Sequence, residues 1–302
     1  MPAIRAGFAG SGRGTPDATS GCDSRKGCVM PIADKPPIMT WDDVLHALDD
    51  IEDPPREILS WASAHWDEAA SRLVDRFGDF AAGRRESIPG TEAFYIAHLS
   101  AEKGETRAYP ILCRMIAQDA RIADWLDDAV TETLPGILIR VFDGDASPLG
   151  RAVESADGDE FARASALAAL GYLVRAKAAM PDAAMQAFLR RIRRETPPRR
   201  DSVLWMTWAA TAASLGYDAM RFEVAKLRND GFIPGGDFNR EEFDLRVELA
   251  RSDASGLAGF RYDRVAPLED ATSAVLALAG AELAEAGRRL RAFAVPGKDY
   301  WR

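Results

Sequence analysis

Five carboxylates, Asp127, Asp128, Glu132, Asp143 and Asp145, crowd into the stretch WLDDAVTETLPGILIRVFDGD, residues Trp125 to Asp145. Carboxylates this dense could hold a hard cation through oxygen ligands, or share general-acid and general-base work. On a helix, Asp128 and Glu132 are four apart and share a face, while Asp127 lies about 100° round from Asp128. A metal site would draw on Asp127, Asp128 and Glu132, and an acid–base pair on Asp128 and Glu132. Against that chemistry, the carboxylates do not follow the spacing of an EF-hand loop, and the stretch contains no histidine. The competing reading is architectural. Pro135 disfavours helix at Leu134 and suits the first turn of a new helix. Thr131 or Thr133 would cap that helix with acids ahead of its positive end, and Asp143 and Asp145 would flank a turn at Gly144. The spacing favours the architectural reading.

Other reactive residue types are scattered. His46, His65 and His98 form no H-E-x-x-H motif, and there is no C-x-x-C. His46 falls at the edge of an apolar stripe, and His65 ends a helix, where an imidazole complements the last carbonyls. His98 follows Phe94 by one turn and reads as a packing histidine, with a lone acid–base role as the sharper alternative. Cys22 and Cys28 are too far apart for a zinc pair, and Cys113 lies on the apolar face of YPILCRMI as a small buried group. FLRRIRRETPPRR holds the basic cluster. Arg190, Arg191, Arg193 and Arg194 fall in the last turns of a helix, where cations offset the dipole. A phosphate-binding groove for duplex DNA along the Arg190–Arg200 edge is the alternative. Trp205 and Trp208, three residues apart, are expected to anchor the core on one helix face. The glycines of GFAGSGRG neither follow a strand nor open a helix. No P-loop, G-x-S-x-G elbow or dinucleotide fingerprint is present, and no cofactor is expected.

These residues are carried by helices. From Thr40 onward the apolar period is helical: TWDDVLHALDDI opens with Thr40 as N-cap and Asp43 at N3, and NREEFDLRVELARS with Asn239 and Glu242, both capping-box spacings. PPREILSWASAHWDEAASRLVDRF continues one stripe through Ile58, Trp61, Leu73 and Phe77. Gly104 joins TEAFYIAHLSAEKG to ETRAYPILCRMIAQD. No segment alternates β-branched residues convincingly, so the fold is expected to be all-α. Short amphipathic helices with tight turns point to a HEAT-like α-solenoid of stacked antiparallel helix pairs. YPILCRMIAQDA, SPLGRAVESADG and MRFEVAKLRNDG recur after about 38 and about 73 residues, near one and two units of a period of roughly 40. The small residues of ASALAALG and WAATAASLG suit close helix approach.

Composition bounds the class. The chain has 302 residues, and 47% of them are hydrophobic, enough for one large core. No run reaches the roughly 20 apolar residues of a membrane span, and the N-terminus has no apolar secretory segment. Three cysteines do not make a disulfide framework, so a cytoplasmic protein is expected. A net charge of −9 argues against general binding to nucleic acid or anionic membranes. Residues 1–38 hold five bases against three acids, which leaves −11 for the remainder. With its Gly, Ser and Pro content that segment reads as a disordered tail, a start at Met30 or Met39 being the alternative. Residues 39–294 are expected to form one helical-repeat domain, followed by a short tail at 295–302.

FYIAHLSAEKGETRAYPILCRMI, DAVTETLPGILIRVFDGDASPLGRAVESADGDEFARASALAALGYL and KLRNDGFIPGGDFNREEFD resemble the DUF1186 family over roughly Asp42 to Glu269. The resemblance implies an all-helical, HEAT-like bacterial domain of unknown function, and it carries no catalytic residues. It singles out His98 among the histidines, because that helix belongs to the family-like block. Proteins similar to this often end in a Cys/His-rich zinc tail of the SEC-C type. RRLRAFAVPGKDYWR has neither residue, which puts any role of that tail in doubt. The resulting expectation is a non-catalytic scaffold or adaptor that binds a protein or peptide. The alternatives are an enzyme or metal-binding protein using His98, Asp127, Asp128 and Glu132 in a cleft, and nucleic-acid binding by the arginine edge.

Overall fold

The computed structural model describes residues 39–48, 56–85, 88–195, 202–233 and 238–280. The tails expected at 1–38 and 295–302 lie outside these residues. Every regular element among the described residues is helical: α1 (Trp41–Ala47), α2 (Arg56–Ala64), α3 (Trp66–Ala81), α4 (Gly90–Lys103), α5 (Ala108–Gln118), α6 (Ala123–Leu126), α7 (Ala129–Glu132) and α8 (Leu134–Arg140). Then follow α9 (Ala146–Glu154), α10 (Glu160–Arg175), α11 (Asp182–Glu195), α12 (Val203–Ser214), a 3-10 turn (Asp218–Met220), α13 (Arg221–Asn229), α14 (Arg240–Ser252) and α15 (Ala258–Tyr262). Residues 271–280 are again helical. None of these helices is long and apolar enough to cross a membrane.

Local signals account for many of the boundaries. Thr40 makes both halves of a capping box: its hydroxyl accepts from Asp43 N, and its own N–H donates to Asp43 Oδ2 at 2.9 Å. Asn239 makes only one half. It accepts from Glu242 N at 2.9 Å, while the Glu242 carboxylate turns forward to Arg246 at 2.5 Å. Gly104 ends α4 at φ 63°, and Glu105 N reaches back to the Ser100 carbonyl at 2.8 Å. That left-handed closure favours glycine because it has no Cβ. The single stripe expected from Ile58 to Phe77 is interrupted at His65, between α2 and α3. There the His65 ring stacks on Trp61 at 4.0 Å, and Nδ1–H donates to the Trp61 carbonyl at 2.9 Å. The imidazole thus satisfies a late carbonyl of α2, the helix-end role its position suggested. His46 is exposed rather than at the edge of a buried stripe.

Packing runs in two series of neighbours. α4 packs on α8, α8 on α10, α10 on α12 and α12 on α14, while α3 packs on α5 and α5 on α9. Cross-contacts join α3 to α4 and α9 to α10. The recurring segments YPILCRMIAQDA and SPLGRAVESADG fall on α5 and α9, which touch. Trp205 and Trp208 are core residues, 1% and 0% exposed, and Trp208 Nε1–H donates to the Leu189 carbonyl at 2.9 Å. Cys113 is buried as a free thiol. Burial pushes its pKa up to about 12, so it stays protonated and apolar.

One segment leaves this neighbour-to-neighbour order. Residues 265–270 form no regular element, and Leu268 N–H donates to the Gly136 carbonyl of α8 at 3.2 Å. A Cβ at Gly136 would stand 2.7 Å from the Ala266 carbonyl oxygen, so only glycine admits the crossing segment. Beyond it, Ala271 N–H donates to Glu102 Oε2 of α4 at 3.0 Å. Burial opposes the Glu102 charge, but hydrogen bonds from Ser63, Lys103 and Ala271 hold its carboxyl below the usual range.

Candidate functional site

The acidic stretch folds as punctuation. α6 and α7 are single turns separated at Asp127, which takes φ 46° and ψ −132°. A non-glycine residue there is strained by its Cβ. Asp128 lies at the N-terminus of α7, and Asp124 is paired with Arg121 at 2.5 Å. Asp143 accepts from Asp145 N, and Asp145 caps α9 by accepting from Ser147 N, both at 2.9 Å, about Gly144 at φ 102°. The Ser147 hydrogen bonds hold the Asp145 carboxyl below its usual range.

Thr133 stands at the N-cap of α8 beside Pro135, as the proline placed it, but its side chain makes no cap bond. Its hydroxyl lies 2.9 Å from His98 Nε2 instead. His98 Nδ1 is 2.8 Å from the Phe94 carbonyl, which can only accept, so Nδ1 carries the proton and Nε2 accepts from Thr133. His98 is fully buried, and burial drives its pKa down to about 4. It is a neutral pin at the α4–α8 contact.

A cleft of about 420 Å³ beside α6 is lined by Phe94, Trp125, Asp124, Asp127 and Asp128, but not by His98 or Glu132. The residues expected to converge are therefore dispersed. Among the described residues, no group of three Asp, Glu, His or Cys side chains is placed to hold a metal ion.

The arginine cluster is largely engaged within the chain. Arg190 faces Glu223 at 3.9 Å, and Arg191 pairs with Glu154 at 2.6 Å and lies over the Phe188 ring. Arg193 lies over the rings of Trp205 and Phe232 at 5.7 and 5.8 Å. Arg194 is exposed, and Arg199 and Arg200 lie outside the described residues.

Another concavity lies elsewhere. A groove of about 400 Å³ runs between α10 and α12, with Ala164, Ala168, Thr207 and Ala210 among the residues that line it. Phe161, 44% exposed, and Met206 also line it, as do Phe260, Val265 and the Arg246–Asp263 pair. Arg246 is 8% exposed and grips Asp263 through Nε and Nη2 at 3.0 and 2.6 Å, with the rings of Phe238 and Tyr262 at 5.1 and 4.8 Å. Burial opposes its charge, but Asp263 and Glu242 more than offset this and hold the pKa above its ordinary value. Ser214, 1% exposed, also lines the groove, and its buried hydroxyl has no hydrogen-bond partner among the described residues.

Residue chemistry did not mark this groove, because small side chains carry no reactive group. The signal lies in ASALAALG and WAATAASLG, whose small residues divide between two uses. Ala166, Ala169, Ala209 and Ala212 are buried in packing, and a Cβ on Gly171 would come within 2.5 Å of Thr211 Cγ2. Ala168 and Ala210, half-buried, face the groove.

A family model described as "Protein of unknown function (DUF1186)" matches residues 90–263, a span that contains the groove's α10 and α12 walls and the acidic stretch. No curated protein and no solved structure matches the chain.

Proposed function

The chain belongs to the DUF1186 family, whose description names no activity, and from its own geometry we propose a non-catalytic scaffold that binds an extended peptide between α10 and α12. In this reading the helices are antiparallel pairs in a HEAT-like stack, with α3 beside α4 and α9 beside α10, and the groove lies on the series α4, α8, α10, α12, α14. The successive contacts of both series support that arrangement.

One observation carries the binding role. The non-helical segment 265–270 already lies against α8 of the same series, held by the Leu268–Gly136 hydrogen bond, and its Val265 lines the groove. A helix series that accepts one non-helical backbone segment on α8 offers a like surface, apolar and unfilled, on the next two helices. The small residues there leave room for a partner's side chains. We assign the work to the cytoplasm, where the free Cys113 thiol is at home.

The test is a photo-crosslinking amino acid placed at Ala210 in the living cell, with Arg114, exposed on α5, as the control position. Discrete polypeptide adducts are expected from Ala210 and not from Arg114, and Ala168→Trp should abolish them. Adducts that are absent, or equal from both positions, would overturn the assignment.

A further inference from the structure

A separate cleft of about 540 Å³ lies between α13 and the start of α14. Val224 and Phe243, 3% and 1% exposed, give it an apolar floor, with Ala219 and Ala225 beside them. Three guanidinium groups, Arg221, Arg228 and Arg240, stand around it together with Phe222. Phe222 is 78% exposed, well beyond Tyr262 at 51% and Phe161 at 44%. An aromatic ring so placed adds nothing to the core. Apolar floor, aromatic rim and arginines are the elements that concentrate binding energy in protein interfaces.

The charges say what would bind. The side chains lining the cleft include three bases, Arg221, Arg228 and Arg240, against one acid, Asp218. Arg221 is neutralised by Asp218 at 2.6 Å and by Asp244, which also receives Arg240 at 3.6 Å. Arg228 makes no ion pair among the described residues, and its Nε is buried without a hydrogen-bond partner. A half-buried guanidinium with no carboxylate of its own is a ready partner for one.

We propose that this cleft docks a short acidic segment of a partner protein. A large apolar side chain of that segment would rest on Val224 and Phe243 against Phe222, with a flanking carboxylate on Arg228. The apolar floor favours a peptide over nucleic acid, since phosphates need no such floor. The chain's own ends do not match, because residues 1–38 carry five bases against three acids and residues 281–302 likewise five against three.

The experiment is an array of immobilised short peptides with a central Phe, Leu, Trp or Ala, flanked by Glu or by Lys, probed with the full chain. Glu-flanked peptides with a large apolar centre should retain it, and retention should fall as salt rises toward about 0.5 M. Phe222→Ala and Arg228→Gln should each weaken retention about tenfold or more, as truncation of an interface anchor does. Both sites are accessible enough that circular dichroism should show an unchanged fold. Phe161→Ala, in the α10–α12 groove, should leave retention intact, which separates this cleft from that site. Four results would overturn the proposal: no preference for acidic over basic peptides, no preference for large apolar centres over Ala, equal retention of both cleft variants, or stronger binding to duplex DNA. Self-association that Phe222→Ala abolishes would assign the cleft to a second copy of the chain and overturn it as well.

Discussion

The stretch from Trp125 to Asp145 and the helix pair α10 and α12 use their residues in opposite ways. The first is dense in carboxylates, yet Asp143 and Asp145 are spent on a turn and a cap, beside a threonine that serves His98. The second is built of Ala, Ser and Thr, yet it borders an open, largely apolar groove. Charged groups near a backbone find nearby N–H groups and cations to satisfy, so they tend to be absorbed locally. Small apolar groups have nothing to satisfy, and they leave space wherever a neighbour does not fill it. Residue type alone is therefore a poor guide to which surface stays open.

The largest test of this contrast is the histidine that the acidic stretch buries. His98 has its folded pKa lowered from 6.5 to about 4, so the unfolded chain binds a proton that the folded chain refuses. Its contribution to stability is complete above about pH 6.5 and is lost as pH falls toward 4. Urea unfolding should show a loss from this residue of about 3 kcal/mol across that window. His98→Gln should flatten the slope by that amount, and an unchanged slope would mean that the imidazole is not sealed.

Next in size is Gly136→Ala, which drives a Cβ into the Ala266 carbonyl. It should cost about 2 kcal/mol and raise hydrogen exchange at Leu268, because the crossing segment must lift away. Thr133→Val removes the donor to His98 Nε2 and should cost about 1 kcal/mol, measured as a lower midpoint in the same titration. Asp127→Gly should raise stability by about 1 kcal/mol by relieving the positive φ, and a loss instead would show that the aspartate side chain has a structural duty. Smallest of all, Asp128→Ala with Glu132→Ala should move stability by no more than about 0.5 kcal/mol, as surface substitutions do. Thermal midpoints with and without divalent cations should match the parent. A cation-dependent shift lost in that variant would restore the metal reading and break the contrast.

What could be read in advance was whatever depends on a few neighbouring residues. Thr40 and Asp43, Gly104, the turn at Gly144 and the buried faces of Cys113, Trp205 and Trp208 follow from period and capping. The interruptions at His65 and Asp127 did not, because the apolar stripe continues across both while the backbone does not. α15, five residues long, is too short for its period to register. Of Thr131 and Thr133, either of which was expected to cap the second helix, Thr133 stands at its end, but its hydroxyl is claimed by a histidine 35 positions away. The groove escaped for a related reason. Which alanines of α10 and α12 face a neighbour, and which face nothing, is decided by helices distant in the chain.

The crossing segment at residues 265–270 has a consequence for how the molecule comes apart. Helices that touch mainly their neighbours can fray from either end, each unit opening at little cost to the rest. The bond from Ala271 to Glu102 joins residues 169 positions apart, and the Leu268–Gly136 bond closes a second long circuit. Such closures carry a large loop entropy, yet once formed they tie the C-terminal end of the described chain to α4 and α8. The segment is a clasp, and unravelling from the C-terminal side is expected to be cooperative rather than gradual.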